Sequence, residues 1–287
     1  MNRVRRMRGG FPGRDFIHNF FSRRLLVFCV FQFSILHYYA DSAKQYAAFA
    51  DYPAAPWILP FMGQNVYFQF VYGISVIYFY SNIPFLQRHE MYALMRQGKA
   101  RWVSMKLLRV WLSAVALVAV ELILSMLPLV PRLEWNLTWG KLYQSLALTD
   151  AGASCHVRLF FPYELLHENN ALTTMLMLFA VLCLITGLTG TLMFALSVCL
   201  GRTAAIMAGT FLAVLTVVFE NLYLWQPWIG FLSPFSWMNL LLLYGKVCRA
   251  APSFPGICAA AVAFLAVAGA FSIKAVQAKD LNWIEEE

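Results

Sequence analysis

Residues 171–222 read ALTTMLMLFAVLCLITGLTGTLMFALSVCLGRTAAIMAGTFLAVLTVVFENL. Two apolar stretches, 171–200 and 203–222, meet at Gly201-Arg202, and the charged side chains of the whole run are Arg202 and Glu220. Each stretch reaches the ~20 residues that a helix needs to cross hydrocarbon. A helix also satisfies every backbone N–H and C=O within its own segment, which lipid demands.

Working outward, comparable apolar runs occupy roughly 25–40, 57–85 and 108–130 on one side and 254–275 on the other. The chain is 61% hydrophobic and 13% charged, against about 25% charge in a soluble domain. The reading is an all-α polytopic membrane protein, a single transmembrane domain over 1–287 with six spans. The second and fourth runs are long enough to tilt, break or extend beyond a bilayer. Gly63 and Gly73 in one, and Gly187 and Gly190 in the other, are candidate weak points. The small-residue faces Ala205-x3-Gly209 and Ala266-x3-Ala270 predict close helix approach.

Seven arginines fall in the first 24 residues, and no small-residue cleavage site follows the first apolar run, so that run is expected to be retained as a span. If both termini are cytoplasmic, sixteen of the 22 Lys and Arg lie on the inner side and six on the outer. That asymmetry follows the positive-inside rule and predicts a multi-pass protein of the cell membrane with both ends inside. The basic balance is therefore a topology signal, and nothing resembles a soluble nucleic-acid module. The six cysteines are scattered without CxxC spacing and read as small apolar residues.

Three segments outside the spans carry pattern. RDFIHNFFSRR, 14–24, sets Phe16, Ile17 and Phe20 against Arg14, His18 and Arg23, an amphipathic interfacial helix before the first span. In 131–170, Trp135, Trp139, Leu142 and Leu146 recur at helical spacing, predicting a helix on the outer membrane face with its Trp residues at headgroup depth. In 223–245, Ser233-Pro234 starts a helix too short to cross, so re-entrant outer helices are expected before the sixth span.

Enzymatic tools are missing. There is no GxSxG and no HExxH, and the Glu164, His167, Glu168 group beside Cys155 and His156 reads as a polar loop. Glu121 lies inside the third span and Glu220 closes the fifth; ionisable groups at membrane depth face a cavity or a partner. Asn65, Gln69 and Tyr72 share one face of the second. With Glu121 they are the candidate substrate pathway, and interhelical hydrogen bonding is the plainer reading. The Gly-Lys pairs at 98, 140 and 245 lack the earlier glycine of a nucleotide-binding loop, so any ATP and its Mg would sit on another chain.

The remaining stretch is RHEMYALMRQGKARWVSMKLLR, 88–109. Glu90, Met91, Leu94 and Met95 recur at helical spacing, Gly98 ends that turn, and Lys99, Arg101, Trp102 and Lys106 lead into the third span as interfacial anchors. A short amphipathic helix held out from the membrane is a docking element for a soluble partner. Together with RDFIHNFFSRR and LSPFSWMNL, 231–239, this loop resembles the permease subunits of ABC-2 type export transporters. The resemblance implies an interfacial helix, a cytoplasmic coupling helix between spans 2 and 3, and short re-entrant helices before span 6. It implies as partners an ABC ATPase, a second permease subunit and the lipid bilayer. It assigns Glu90, Met91, Leu94, Met95, Gly98, Lys99 and Trp102 to ATPase coupling. The function it implies is ATP-driven export of an amphipathic substrate: a peptide, a drug or a lipid-like molecule. The alternative is a non-transporting polytopic protein, either an intramembrane enzyme or an assembly scaffold.

Overall fold

The computed structural model describes residues 20–81, 98–149, 151–245 and 253–278. Seven helices carry the architecture: α1 (Arg23–Ala50), α2 (Val66–Tyr80), α3 (Lys99–Met126), α4 (Gly140–Leu148), α5 (Ala171–Leu200), α6 (Arg202–Leu222) and α7 (Phe254–Ala278). Five of them, α1, α3, α5, α6 and α7, are long and apolar enough to cross a membrane; α2 is apolar but only 15 residues long.

α5 is the centre of the bundle and packs against α6, α7, α3 and α2, while α1 closes the group against α2 and α3. Small residues set those approaches. A Cβ at Gly187 would stand 2.9 Å from the Trp111 ring, and one at Gly190 would stand 2.6 Å from Val110 and 2.9 Å from the Tyr80 ring. These two glycines therefore let α3 and α2 lie against α5, and the helix runs through them without interruption. The expected weakness in the fourth run is absent. Gly209 of α6 does the same against Ile77 of α2, and Ala205 on the same face is fully buried. Ala266 and Ala270 of α7 face outward in the single chain.

The second run does break, at one of the two places foreseen. Pro60 sits in a single helical turn, Leu59–Met62, which closes as the Gln64 and Asn65 N–H groups donate to the Phe61 and Met62 carbonyls at 3.3 and 2.9 Å. Asn65 then caps α2, its Oδ1 accepting from the Tyr67 and Phe68 N–H groups at 2.9 and 3.2 Å. Gln69 supports the break from inside, donating to the Gly63 carbonyl at 2.7 Å. Gly73 lies inside an intact helix.

The two ends of the bundle differ in charge. At one, the described cations Arg23, Arg24, Lys99, Arg101, Lys106, Arg109, Arg202 and Lys274 gather with no described acid among them. The other end is covered by protein. α4 buries Trp139, Leu142, Tyr143 and Leu146, and Trp139 Nε1 donates to the Asn169 carbonyl at 2.8 Å. Phe61 centres a group of rings, 5.2 Å from Trp139, 5.3 Å from Tyr143 and 4.7 Å from Phe161. Burial pushes the Tyr143 phenol well above its ordinary range, and its hydroxyl donates to the Ala55 carbonyl at 2.7 Å.

This corrects the expected surface helix over 131–170. Its apolar face closes on the chain itself, and Trp139 is buried in protein. Trp135 is exposed but lies outside the helix, which starts only after the Asn136 turn, at Gly140 with φ +75°. Residues 223–245 hold three short pieces: Ile229–Leu232, a 3-10 turn Pro234–Met238, and Leu240–Leu243. Pro234–Met238 is buried against α5, α6 and α2.

Candidate functional site

The carboxyl of Glu121 is fully buried on α3, and neither oxygen has a hydrogen-bond partner. α3 packs on α1 and α5, and Glu121 stands within electrostatic range of Cys29 on α1 and Tyr72 on α2. On α1, one turn along from Cys29, Gln32 is also fully buried. Its Nε2 reaches the Val71 carbonyl at 3.5 Å and its Oε1 has no partner. Tyr72, against Phe28, shares a hydrogen bond of 2.8 Å with Thr186 Oγ1 on α5. Burying polar atoms without partners costs several kcal/mol or less depending on context, in the range of about 1–3 in proteins. Three such oxygens, on the packed helices α1 and α3, add that cost to the core.

Of the four residues predicted to form a pathway, the structure separates two pairs. Glu121 and Tyr72 lie in the bundle interior. Asn65 and Gln69 point inward as well, but their polar atoms are used to build the break in the second run. Their bonding is local to the chain, where bonding between helices was the plainer expectation. Gln32 was missed, although it breaks the apolar run 25–40 just as Glu121 breaks the third.

Of the predicted coupling residues, Glu90, Met91, Leu94 and Met95 lie outside the described residues, as do Arg14–Asn19 of the N-terminal amphipathic segment. Gly98 takes φ +83° and begins α3, so α3 starts nine residues earlier than the apolar pattern indicated. Lys99 Nζ donates to the Gln277 carbonyl of α7 at 3.0 Å. Trp102 and Lys106 are corrected from interfacial anchors to packing residues. Trp102 is buried among Phe194, Val198 and Val276, and the nearly buried Lys106 holds its ammonium 5.5 Å from the Trp102 ring centre. Among the described residues, no three His, Cys, Asp or Glu side chains come together as a metal-binding set.

Compared with family models, with curated proteins and with solved structures, the chain has no match in any of the three.

Proposed function

We propose that this chain is the membrane-spanning subunit of an ATP-driven exporter of the ABC-2 type, working with a separate ATPase and a second permease. One observation carries the reading. The loop joining α2 to α3 springs from the cation-rich end, while short buried helical pieces precede α7 at the opposite, capped end. That order of parts is what the export architecture requires. The positive-inside rule assigns the cation-rich end to the cytoplasm, where an ATPase would dock. Glu90–Met95 would seat in the ATPase, with Met91, Leu94 and Met95 as apolar anchors. Gly98 and Lys99 would pass its movement into α3, because α3 begins directly at Gly98 and is tied to α7.

Rocking of the helices about α5 would then open the interior region, where the Glu121 carboxyl and Gln32 Oε1 have no hydrogen-bond partner among the described residues. An amphipathic substrate supplies what those atoms lack. ATP and Mg belong to the partner chain in this reading.

The test is Met91→Asp with Leu94→Asp, followed by capture of the ATPase and substrate-stimulated ATP hydrolysis. Losing two buried anchors removes roughly 2–4 kcal/mol of docking. A double mutant that inserts normally and still binds and stimulates its ATPase would reduce the loop to a membrane anchor. The orientation has its own check: a cysteine placed at Gln97 is expected to stay unlabelled by an impermeant reagent on intact cells.

A further inference from the structure

At the capped end, the break in the second run, the end of α6 and the Leu240–Leu243 turn enclose a cavity of about 300 Å³. Its wall includes the aromatic residues Phe61, Phe219 and Tyr223, with Gln64, Asn239 and Glu220 as polar members. Among the described residues, the Glu220 carboxylate has neither an ion-pair nor a hydrogen-bond partner. Arg158 also borders the cavity, but its guanidinium is committed elsewhere. It lies 4.2 Å over the Tyr38 ring, and Nη1 donates to the Tyr38 carbonyl at 3.2 Å. Gln64 Nε2 is a buried donor with no acceptor. Asn239 spends its Oδ1 on the Leu241 N–H at 3.1 Å, which leaves its amide nitrogen as a second donor.

These features specify a ligand by what each one lacks. An unpaired carboxylate beside aromatic rings asks for an organic cation, which gains from both charge and ring faces. Amide donors without acceptors ask for an oxygen close to that cation. Exposed Phe160 lines the cavity, and exposed Trp225 and Trp228 follow its lining residue Tyr223 in the chain; such aromatics favour the headgroup depth of a membrane. A ligand arriving there brings an apolar tail.

We propose that this cavity binds a cationic amphiphile: an organic ammonium with an oxygen acceptor beside it and a hydrocarbon tail. The ammonium sits against Glu220 and the rings, and Gln64 donates to the oxygen. Both a zwitterionic lipid headgroup and a free lipophilic amine carry this chemistry. That the cavity lies on an export route rests on the reading above; binding itself does not.

The probe is radiolabelled lauroylcholine, dialysed against the full chain in phosphatidylglycerol nanodiscs, with empty discs as the blank and no ATPase present. Glu220→Gln is expected to weaken binding about tenfold or more, one charge-assisted contact of about 1.4 kcal/mol, with an unchanged thermal midpoint. Glu220→Asp is expected to keep most of the affinity. Dodecyltrimethylammonium, which has the charge without the ester, is expected to bind more weakly than lauroylcholine, and Gln64→Leu to erase that difference. Displacement of the probe by added phosphatidylethanolamine would make a lipid headgroup the source; retention of the probe would make it a free amine. Equal binding to wild type and Glu220→Gln, or displacement by dodecyl sulfate as effective as by dodecyltrimethylammonium, would overturn the proposal. Failure of ATPase capture with intact probe binding would sink the exporter reading alone.

Discussion

Two apolar runs, 57–85 and 171–200, are alike in length and each carries two glycines, yet one breaks and the other forms the unbroken α5. The difference does not lie in the glycines. In the second run the Asn65 side chain takes the Tyr67 and Phe68 N–H groups that would otherwise bond the Gly63 and Gln64 carbonyls, and Gln69 returns a hydrogen bond to the freed Gly63 carbonyl. In α5 nothing competes for the backbone, and Gly187 and Gly190 are used for their missing side chains. Glycine in a membrane helix thus marks where a neighbour comes close. A break needs a residue that withdraws a hydrogen bond and another that replaces it.

That contrast can be broken at its strongest support first. Phe61→Ala removes the ring at the centre of the aromatic group holding the broken segment, and is expected to cost about 3–5 kcal/mol. Denaturation in detergent should show the loss, with faster hydrogen exchange confined to residues 59–66 and little change in α5. Next, Gly190→Ala is expected to cost about 2–3 kcal/mol. The added carbon meets Val110 and a Tyr80 ring whose hydroxyl is tied to the Val110 carbonyl at 3.0 Å, so the ring cannot swing clear. A thermal midpoint equal to wild type would mean that α3 and α5 pack less closely than described.

Smaller again is Asn65→Ala, at about 1 kcal/mol for a lost cap; Asn65→Asp should restore most of it, whereas a shape-only role would not be rescued. The smallest effect is expected at Gly73→Ala. Its new carbon would lie 3.2 Å from the Ala213 Cβ and the Phe235 ring. The helix gains about 0.5–1 kcal/mol from losing a glycine, so the two nearly cancel. A large loss at Gly73 would place it with Gly190 and undo the distinction drawn between the two runs.

The existence of the long helices was legible because lipid leaves backbone polar groups few alternatives. Their ends were less so. α1 continues to Ala50 because DSAKQYAAFA is good helix sequence, with Gln45 donating to Asp41 at 2.8 Å, and it stops where Asp51 turns left-handed before Pro53. Hydrophobicity marks where a helix would be buried in lipid, not where its hydrogen bonding ends. In the candidate site, Glu121 stood out as a lone acid in an apolar run. That its oxygens lack partners depends on what α1 and α2 place beside it, which no spacing along α3 encodes. Asn65 and Gln69 were found by periodicity, but a shared face does not say whether a side chain bonds across helices or back to its own chain.

The single residue Gly201, with φ +94°, both ends α5 and begins α6. During synthesis this leaves no slack between two apolar segments of opposite direction. The first cannot settle in the bilayer and wait while a loop follows. The pair must enter a membrane together as a helical hairpin with Arg202 at its tip.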